Sequence, residues 1–329
     1  MTLTDLTPAL TRFENAVAEV DITTALAVVE EALAAGADPV TLLTEVVVAA
    51  QRAVGDRWQR GEWSVAREHA ATAVATAATE AVTRQVRRLP VTRGRVVVAC
   101  AEREWHALPA MIIDCALRSD GWDTTLLGAS TPALRLSQYL QDLGPDALAV
   151  SCSMLGSLPT ARRFIEAATA AGIPVLVGGP AFGADDLRAQ SLGATAWAPD
   201  AAGAIQALRT IPPVVAPAVP LPDGPVTEQA ALDLAHTELL TTITSDWPGD
   251  AFADVDLARD CVDLLLHAIW AALLTADPRA ISETVWWISE LLNSRGAPPH
   301  LPNALHTTMT RALRDYPLAG ALLTTAWPS

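Results

Sequence analysis

The sequence predicts a multidomain α and α/β protein: an N-terminal four-helix bundle, a central flavodoxin-like doubly wound parallel sheet, and a C-terminal all-helical domain. Three observations carry this. Residues 1–90 show helical spacing of apolar residues and no strand-like run. Residues 91–210 alternate short β-branched runs with helical stretches. Residues 211–225 hold six prolines, and helical patterning returns over residues 226–329.

The first helix is read around Ala9. A second carries Leu26, Val29 and Leu33 at helical spacing, and Gly36 with Pro39 closes it. A third runs from about Val40 to Trp58. The segment Gly61–Ser64 turns the chain into a fourth, Val65–Arg87. Buried strands are expected at Val96–Cys100, Thr124–Leu127, Ala147–Cys152, Pro174–Val177 and Ala194–Trp197. Helices are expected between them at Leu108–Ser119, Ala133–Leu143, Thr160–Ala171 and Asp185–Ser191. Such alternation implies right-handed βαβ units with helices on both faces. After the proline-rich connector, Leu257–Thr275 is strongly apolar. Asp277-Pro278 starts a helix whose stripe is Ile281, Val285, Ile288 and Leu292, ended by Gly296. Asn303 starts another, with Leu305, Met309 and Leu313 on one side.

Composition narrows the function. A net charge of -15, from 22 basic and 37 acidic residues, repels a phosphate backbone and argues against direct nucleic-acid binding. The N-terminus lacks the basic start, apolar core and small-residue cleavage site of a signal peptide. The most apolar stretches, such as Val262 to Leu274, are too short to span a bilayer, so no membrane role is expected. Cys100, Cys115, Cys152 and Cys261 are scattered, which fits reduced thiols in a cytoplasmic protein and disfavours structural zinc.

In open α/β sheets, ligands bind beyond the carboxyl ends of the strands. The loop after the first strand offers Glu104, Trp105 and His106. A neutral imidazole suits a transition metal, and a carboxylate two residues earlier is placed to hold its other nitrogen. The loop after the third strand carries Ser151, Ser153 and Ser157. After the fourth comes Gly178-Gly179, whose missing side chains let a bulky group lie against the backbone.

Glu104-x-His106, the serine-rich loop and Gly178-Gly179 resemble the D-x-H-x-x-G … S-x-L … G-G signature of cobalamin-binding domains over about residues 92–210. Glu104 stands for the usual Asp and Pro109 for the motif Gly. The resemblance implies that His106 is the metal ligand, binding cobalt in place of the dimethylbenzimidazole base. The displaced nucleotide tail would lie in a slot lined by the Ser and Gly loops. Trp58, followed by Glu68-His69, resembles the W-x9-E-H element in the helical cap of CarH-type cobalamin photoreceptors, with Gln59 where that family has a His. This implies Trp58 over the upper corrin face and Glu68-His69 beside an adenosyl ligand. By domain order the chain resembles the photocobilins, which hold cobalamin and biliverdin. That implies a biliverdin site in the C-terminal helices, for which Trp287, Arg295 and His300 are candidates alongside Trp270, Trp286, His267, His306 and Arg311.

The expected function is a light sensor without catalysis of its own. It holds adenosylcobalamin over His106 and biliverdin in the C-terminal helices, and light changes cobalt ligation and quaternary structure. A homo-oligomer and a downstream signalling protein are the expected partners, beside the small-molecule chromophores. The rivals are a corrinoid methyl carrier or cobalamin-dependent enzyme subunit, and a globin-like haem or other sensor domain at the C-terminus.

Overall fold

The computed structural model describes residues 5–247 and 254–328. The N-terminal helices are α1 (Thr7–Glu19), α2 (Ile22–Ala34), α3 (Pro39–Leu42) continuing through a π-helical stretch (Leu43–Val48) into α4 (Ala49–Gln59), and α5 (Val65–Val86). Four helical rods thus form as the periodicity predicts. Side chains of Asp21, Asp38 and Ser64 accept from backbone N–H groups at the starts of α2, α3 and α5. Phe13, Val28, Leu42, Val46, Val74 and Val82 are fully or almost fully buried between the rods.

The sheet has five parallel strands in the order β2-β1-β3-β4-β5. They are β1 (Arg95–Cys100), β2 (Asp123–Gly128), β3 (Ala147–Ser151), β4 (Val175–Gly178) and β5 (Ala196–Ala198). The connecting helices are α6 (Ala107–Ser119), α7 (Ala133–Leu143), α8 (Leu158–Ala170) and α9 (Leu187–Ser191), and α10 (Ala201–Thr210) follows β5. Successive residues of β1 face opposite ways, as strand geometry requires. Val96, Val98 and Cys100 pack with α6 and α10, while Val97 and Ala99 pack with α7 and α8. The outer side of α6, through Leu108, Ile112 and Cys115, joins the core of the bundle, so the bundle sits on the α6 side of the sheet.

The C-terminal helices are α11 (Asp223–Asp246), α12 (Val255–Thr275), α13 (Arg279–Ser294), α14 (Leu301–Ala312) and α15 (Pro317–Ala326). Leu265, Leu266 and Ile269 of α12 belong to the same hydrophobic cluster as Phe164 of α8 and Leu192. The far face of the sheet and the C-terminal helices therefore share one continuous core. No helix among the described residues is long and apolar enough to cross a membrane.

Three details correct the sequence expectations. Helix α11 begins at Asp223, inside the stretch read as linker. Pro225 lies in its first turn, where a missing N–H removes no helical hydrogen bond. Helix α14 begins at Leu301, ahead of Asn303, with Pro302 tolerated for the same reason. Helices α10 and α15 were not anticipated. The remaining connector is pinned to α8. Val215 N–H donates to Gly172 O at 3.2 Å and Ala218 N–H to Thr169 Oγ1 at 3.0 Å. The buried Arg162 guanidinium donates to Val219 O at 2.7 Å and to Leu192 O at 2.9 Å.

Candidate cofactor site

The carboxyl ends of β1, β3, β4 and β5 open into a cavity of about 860 Å³. This is at the upper end of the range for ligand pockets. Its floor is Trp105, His106, Ser151, Ser153, Gly178 and Gly179, together with residues of α6 and of the β5–α10 turn. Its roof is Thr44, Val48, Gln51, Arg52, Glu68, His69 and Thr72 of the bundle. All of its lining residues fall between 44 and 204.

Glu104 organises the floor. Its side chain is 0% exposed. Oε1 accepts from the His106 ring at Nδ1 (2.6 Å) and from His106 N–H (2.9 Å), while Oε2 accepts from the backbone N–H groups of Ser153 and Met154. Burial alone would raise the Glu104 carboxyl, but these four hydrogen bonds outweigh it and hold the group below its ordinary value. The same carboxylate raises His106 above the usual imidazole range against the pull of burial, with a smaller push from Glu68. Because Nδ1 is taken by Glu104, Nε2 is left as the ligand nitrogen, the arrangement typical of a metal-binding histidine. The loop itself is tightly drawn. Arg103 sits at φ +69°, and its N–H and the carbonyl of Glu104 are both held by Ser130.

The two glycines fit the cradle they were assigned to. A Cβ on Gly179, at φ +103°, would lie 2.4 Å from Cys152 O, and one on Gly178 would lie 2.8 Å from Ala198 O. Behind them Val98, Ala149, Leu176, Val177, Trp197 and Ala204 line an apolar slot. A cavity with an imidazole backed by a buried carboxylate at its floor, and a slot along side-chain-free backbone, fits a flat metallocycle that carries a tail.

The other candidates are placed differently. Glu68 and His69 do line the cavity, on the bundle side, with His69 Nδ1 against Glu68 Oε2 and Thr72 Oγ1 donating to Glu68 Oε1. Trp58, expected over the corrin, does not line the cavity. It stacks on Trp287 of α13 with ring centroids 5.9 Å apart and planes 20° apart. Arg295 lies 5.9 Å from the Trp58 ring centre and donates to Trp58 O at 2.8 Å. Arg295 and Trp287, expected at a bilin, therefore clamp the end of α4. Trp286 is 64% exposed, so of the adjacent pair it is the one that points to solvent. His300 is exposed at the start of α14, and Ser157 is buried at the start of α8, away from the cavity lining. Sequence reasoning missed the roof residues Thr44, Val48 and Gln51, because nothing local marks which face of a bundle helix meets a ligand.

The clamp gives a test of its own. Trp58→Ala and Trp287→Ala should each destabilise the protein by about 1–2 kcal/mol, and the double variant should fall short of additivity by ~1 kcal/mol. Urea unfolding of the four proteins measures the cycle. Full additivity would mean the rings do not interact.

The four cysteines are free and buried. Burial pushes the Cys100 and Cys261 thiols up to about 12, so neither is a thiolate ready for covalent attachment.

Comparison with known proteins agrees with the geometry. Residues 94–209 match the family model described as a B12 binding domain, and residues 9–83 match a second model of the same description. Trimethylamine corrinoid protein 1 of Methanosarcina acetivorans is 25% identical over 209 residues, covering 61% of this chain and 96% of that protein. The HTH-type transcriptional repressor CarH of Myxococcus xanthus is 32% identical over 165 residues, 47% of this chain. The match spans about half the length of CarH (52%). The solved monomethylamine corrinoid protein of Methanosarcina barkeri shares the fold, with a TM-score of 0.55 and 18% identity over 62% of this chain and 98% of its own. The matched segments and the cavity between them coincide: the bundle supplies its roof, the sheet its floor, and the chain is a cobalamin-binding protein.

Proposed function

We propose that the chain is a cobalamin-dependent light sensor. His106 binds cobalt from below, and the bundle covers an adenosyl ligand on the upper face. When bound, the cofactor supplies a cobalt–carbon bond that light can break. The observation that carries this reading is that the bundle roofs the cavity and is tied to the C-terminal helices. Glu68 and His69 line the cavity from the bundle side, opposite His106, and the end of α4 just before them is clamped to α13 by Trp287 and Arg295. A change in what fills the space under the roof therefore has a mechanical route to the C-terminal helices, and through them to oligomeric state and to a downstream partner. The CarH match supports this reading. No catalysis by the chain itself is included. A bilin held by Trp287, Arg295 and His300 is not included either, because two of the three are engaged by Trp58 and the third faces solvent.

A second reading is a corrinoid carrier that hands a methyl group to partner enzymes. The comparisons weigh toward it, since matches to trimethylamine corrinoid proteins cover most of those proteins' length. A carrier must lift its roof for a partner, and the clamp opposes that.

The two are separated by loading the full chain with adenosylcobalamin in the dark and illuminating it. A sensor changes its absorption spectrum, its hydrodynamic size and the fluorescence of its tryptophans together. If illumination does no more than it does to free cobalamin, and methylcobalamin-loaded protein passes its methyl group to a thiol acceptor in the dark, the carrier reading stands. In either case His106→Ala should shift bound cobalamin to a base-off spectrum or abolish binding. Full occupancy with an unchanged spectrum would remove His106 from the site.

A further inference from the structure

A second cluster of metal-ligating side chains lies outside the cobalamin cavity. Helices α11 and α12 pack side by side and bring together His236, Asp263 and His267. Asp263 and His267 are four residues apart on α12 and so share a face. One ligand atom from each residue lies within 4.8 Å of the other two. Asp263 Oδ1 is 3.0 Å from His236 Nε2, and Oδ2 is 3.3 Å from His267 Nδ1. Ligands at ~2.0–2.2 Å from an ion stand about 3–4 Å from one another, so closure onto an ion needs only small rotamer shifts.

We propose that His236, Asp263 and His267 form a binding site for a divalent first-row transition-metal ion.

The donor chemistry selects the class. Two imidazoles and one carboxylate suit zinc, iron, cobalt or nickel. They lack the thiolate that copper(I) favours and the all-oxygen shell that calcium and magnesium need. The rings are held in place. They lie parallel within 5°, centroids 5.1 Å apart, and both meet the Trp270 indole edge-on at 5.2 and 4.7 Å. The His267 ring rests on Gly156, where a Cβ would approach it to 2.7 Å. A plain hydrogen-bonded triad explains the arrangement less well. His236 Nε2, although 3.0 Å from the carboxylate, has no aligned hydrogen bond among the described residues. The Asp263 side chain is 34% exposed, which leaves room for water to complete a coordination shell. Two cations act on the triad: Arg259, one turn before Asp263 on α12, and Arg103, which is paired with Asp233 at 3.4 Å.

The test uses tag-free full-length protein loaded with cobalamin, so that His106 is occupied. Zinc(II) is titrated by calorimetry, and cobalt(II) by difference absorption in the visible. One zinc per chain should bind. His236→Ala and Asp263→Asn should each weaken it more than ~100-fold, beyond the 10–100-fold that loss of an outer-shell partner costs. His300→Ala should bind as the wild type does. His236→Gln, which keeps the side-chain bulk, should lose the metal as well, and an unchanged cobalamin spectrum in each variant shows that the fold is intact. Absence of stoichiometric zinc binding by the wild type, or equal binding by folded His236→Gln and Asp263→Asn, overturns the site.

Discussion

Glu104→Ala is expected to destabilise the protein by about 3–5 kcal/mol and to weaken cobalamin retention by ~10–100-fold or more. One buried carboxylate satisfies the His106 ring and three backbone N–H groups, two of them on a different loop. Its removal leaves those donors facing an apolar hole, and each buried donor without a partner costs about 1–3 kcal/mol. His106 loses its orientation, and the Ser153–Met154 turn loses the two hydrogen bonds that tie it to the His106 loop through that carboxylate. Glu104→Gln keeps the size but turns an NH2 toward an N–H donor, so it should recover only part of the loss. The pH dependence follows in sign. The folded-state value of Glu104 lies below its unfolded value of 4.5, so its contribution is fully present above that pH. It fades as pH falls through the lowered folded value. Urea unfolding of wild type and variant should therefore give a gap that widens as pH falls through the raised His106 value, because Glu104 favours the imidazolium, and then narrows in acid as Glu104 is protonated. A gap that persists unchanged into strong acid would mean the carboxylate is not ionised in the fold.

Arg188→Ala is expected to cost about 2–3 kcal/mol, because it breaks a buried ion pair while Arg279, at 2.8 Å, still partners Asp277. The Arg188 and Asp277 side chains are each 1% exposed and meet at 2.8 Å, and Arg188 also donates to Ala181 O and to Glu283. Arg188 belongs to α9 beside the sheet and Asp277 to the turn before α13. The pair thus fixes the C-terminal helices against the sheet. Glu283 is about half exposed, so Glu283→Gln should cost ~0–1 kcal/mol. Replacing both Arg188 and Asp277 with apolar residues of similar volume should recover much of the loss. Denaturant midpoints of the variants decide. If Arg188→Ala costs no more than Glu283→Gln, the pair is not buried in solution.

Much of this architecture was legible because its signals are local. Runs such as Val96–Cys100 cannot hide among helices, and all five strands formed within two residues of expectation. The E-x-H loop was equally legible, because the carboxylate and the imidazole that need each other are two residues apart. What sequence could not show are the pairings made across the chain. Trp58 meets Trp287 only once the bundle and α13 are folded against each other, and a tryptophan expected over a cofactor is as readily used as half of a clamp. His236 was passed over because α11 hides behind prolines that usually end a helix. The partner that gives it meaning, Asp263, lies on a different helix. Helix α10 went unread because Ala201–Thr210 is rich in small residues and its capping Asp200 follows a strand with hardly a break.

The connector between sheet and C-terminal helices has the composition of a tether but is laid down as a strap, held at Val215, Ala218 and Val219. A free tether would let its two ends meet with an effective concentration in the millimolar range. A strap fixed along α8, with α12 locked into the same core, leaves α13 almost no volume to explore. When Trp58 parts from Trp287, the two rings stay within reach of each other, so reclosing costs little chain entropy. Any parting of the two rings would therefore be readily reversed.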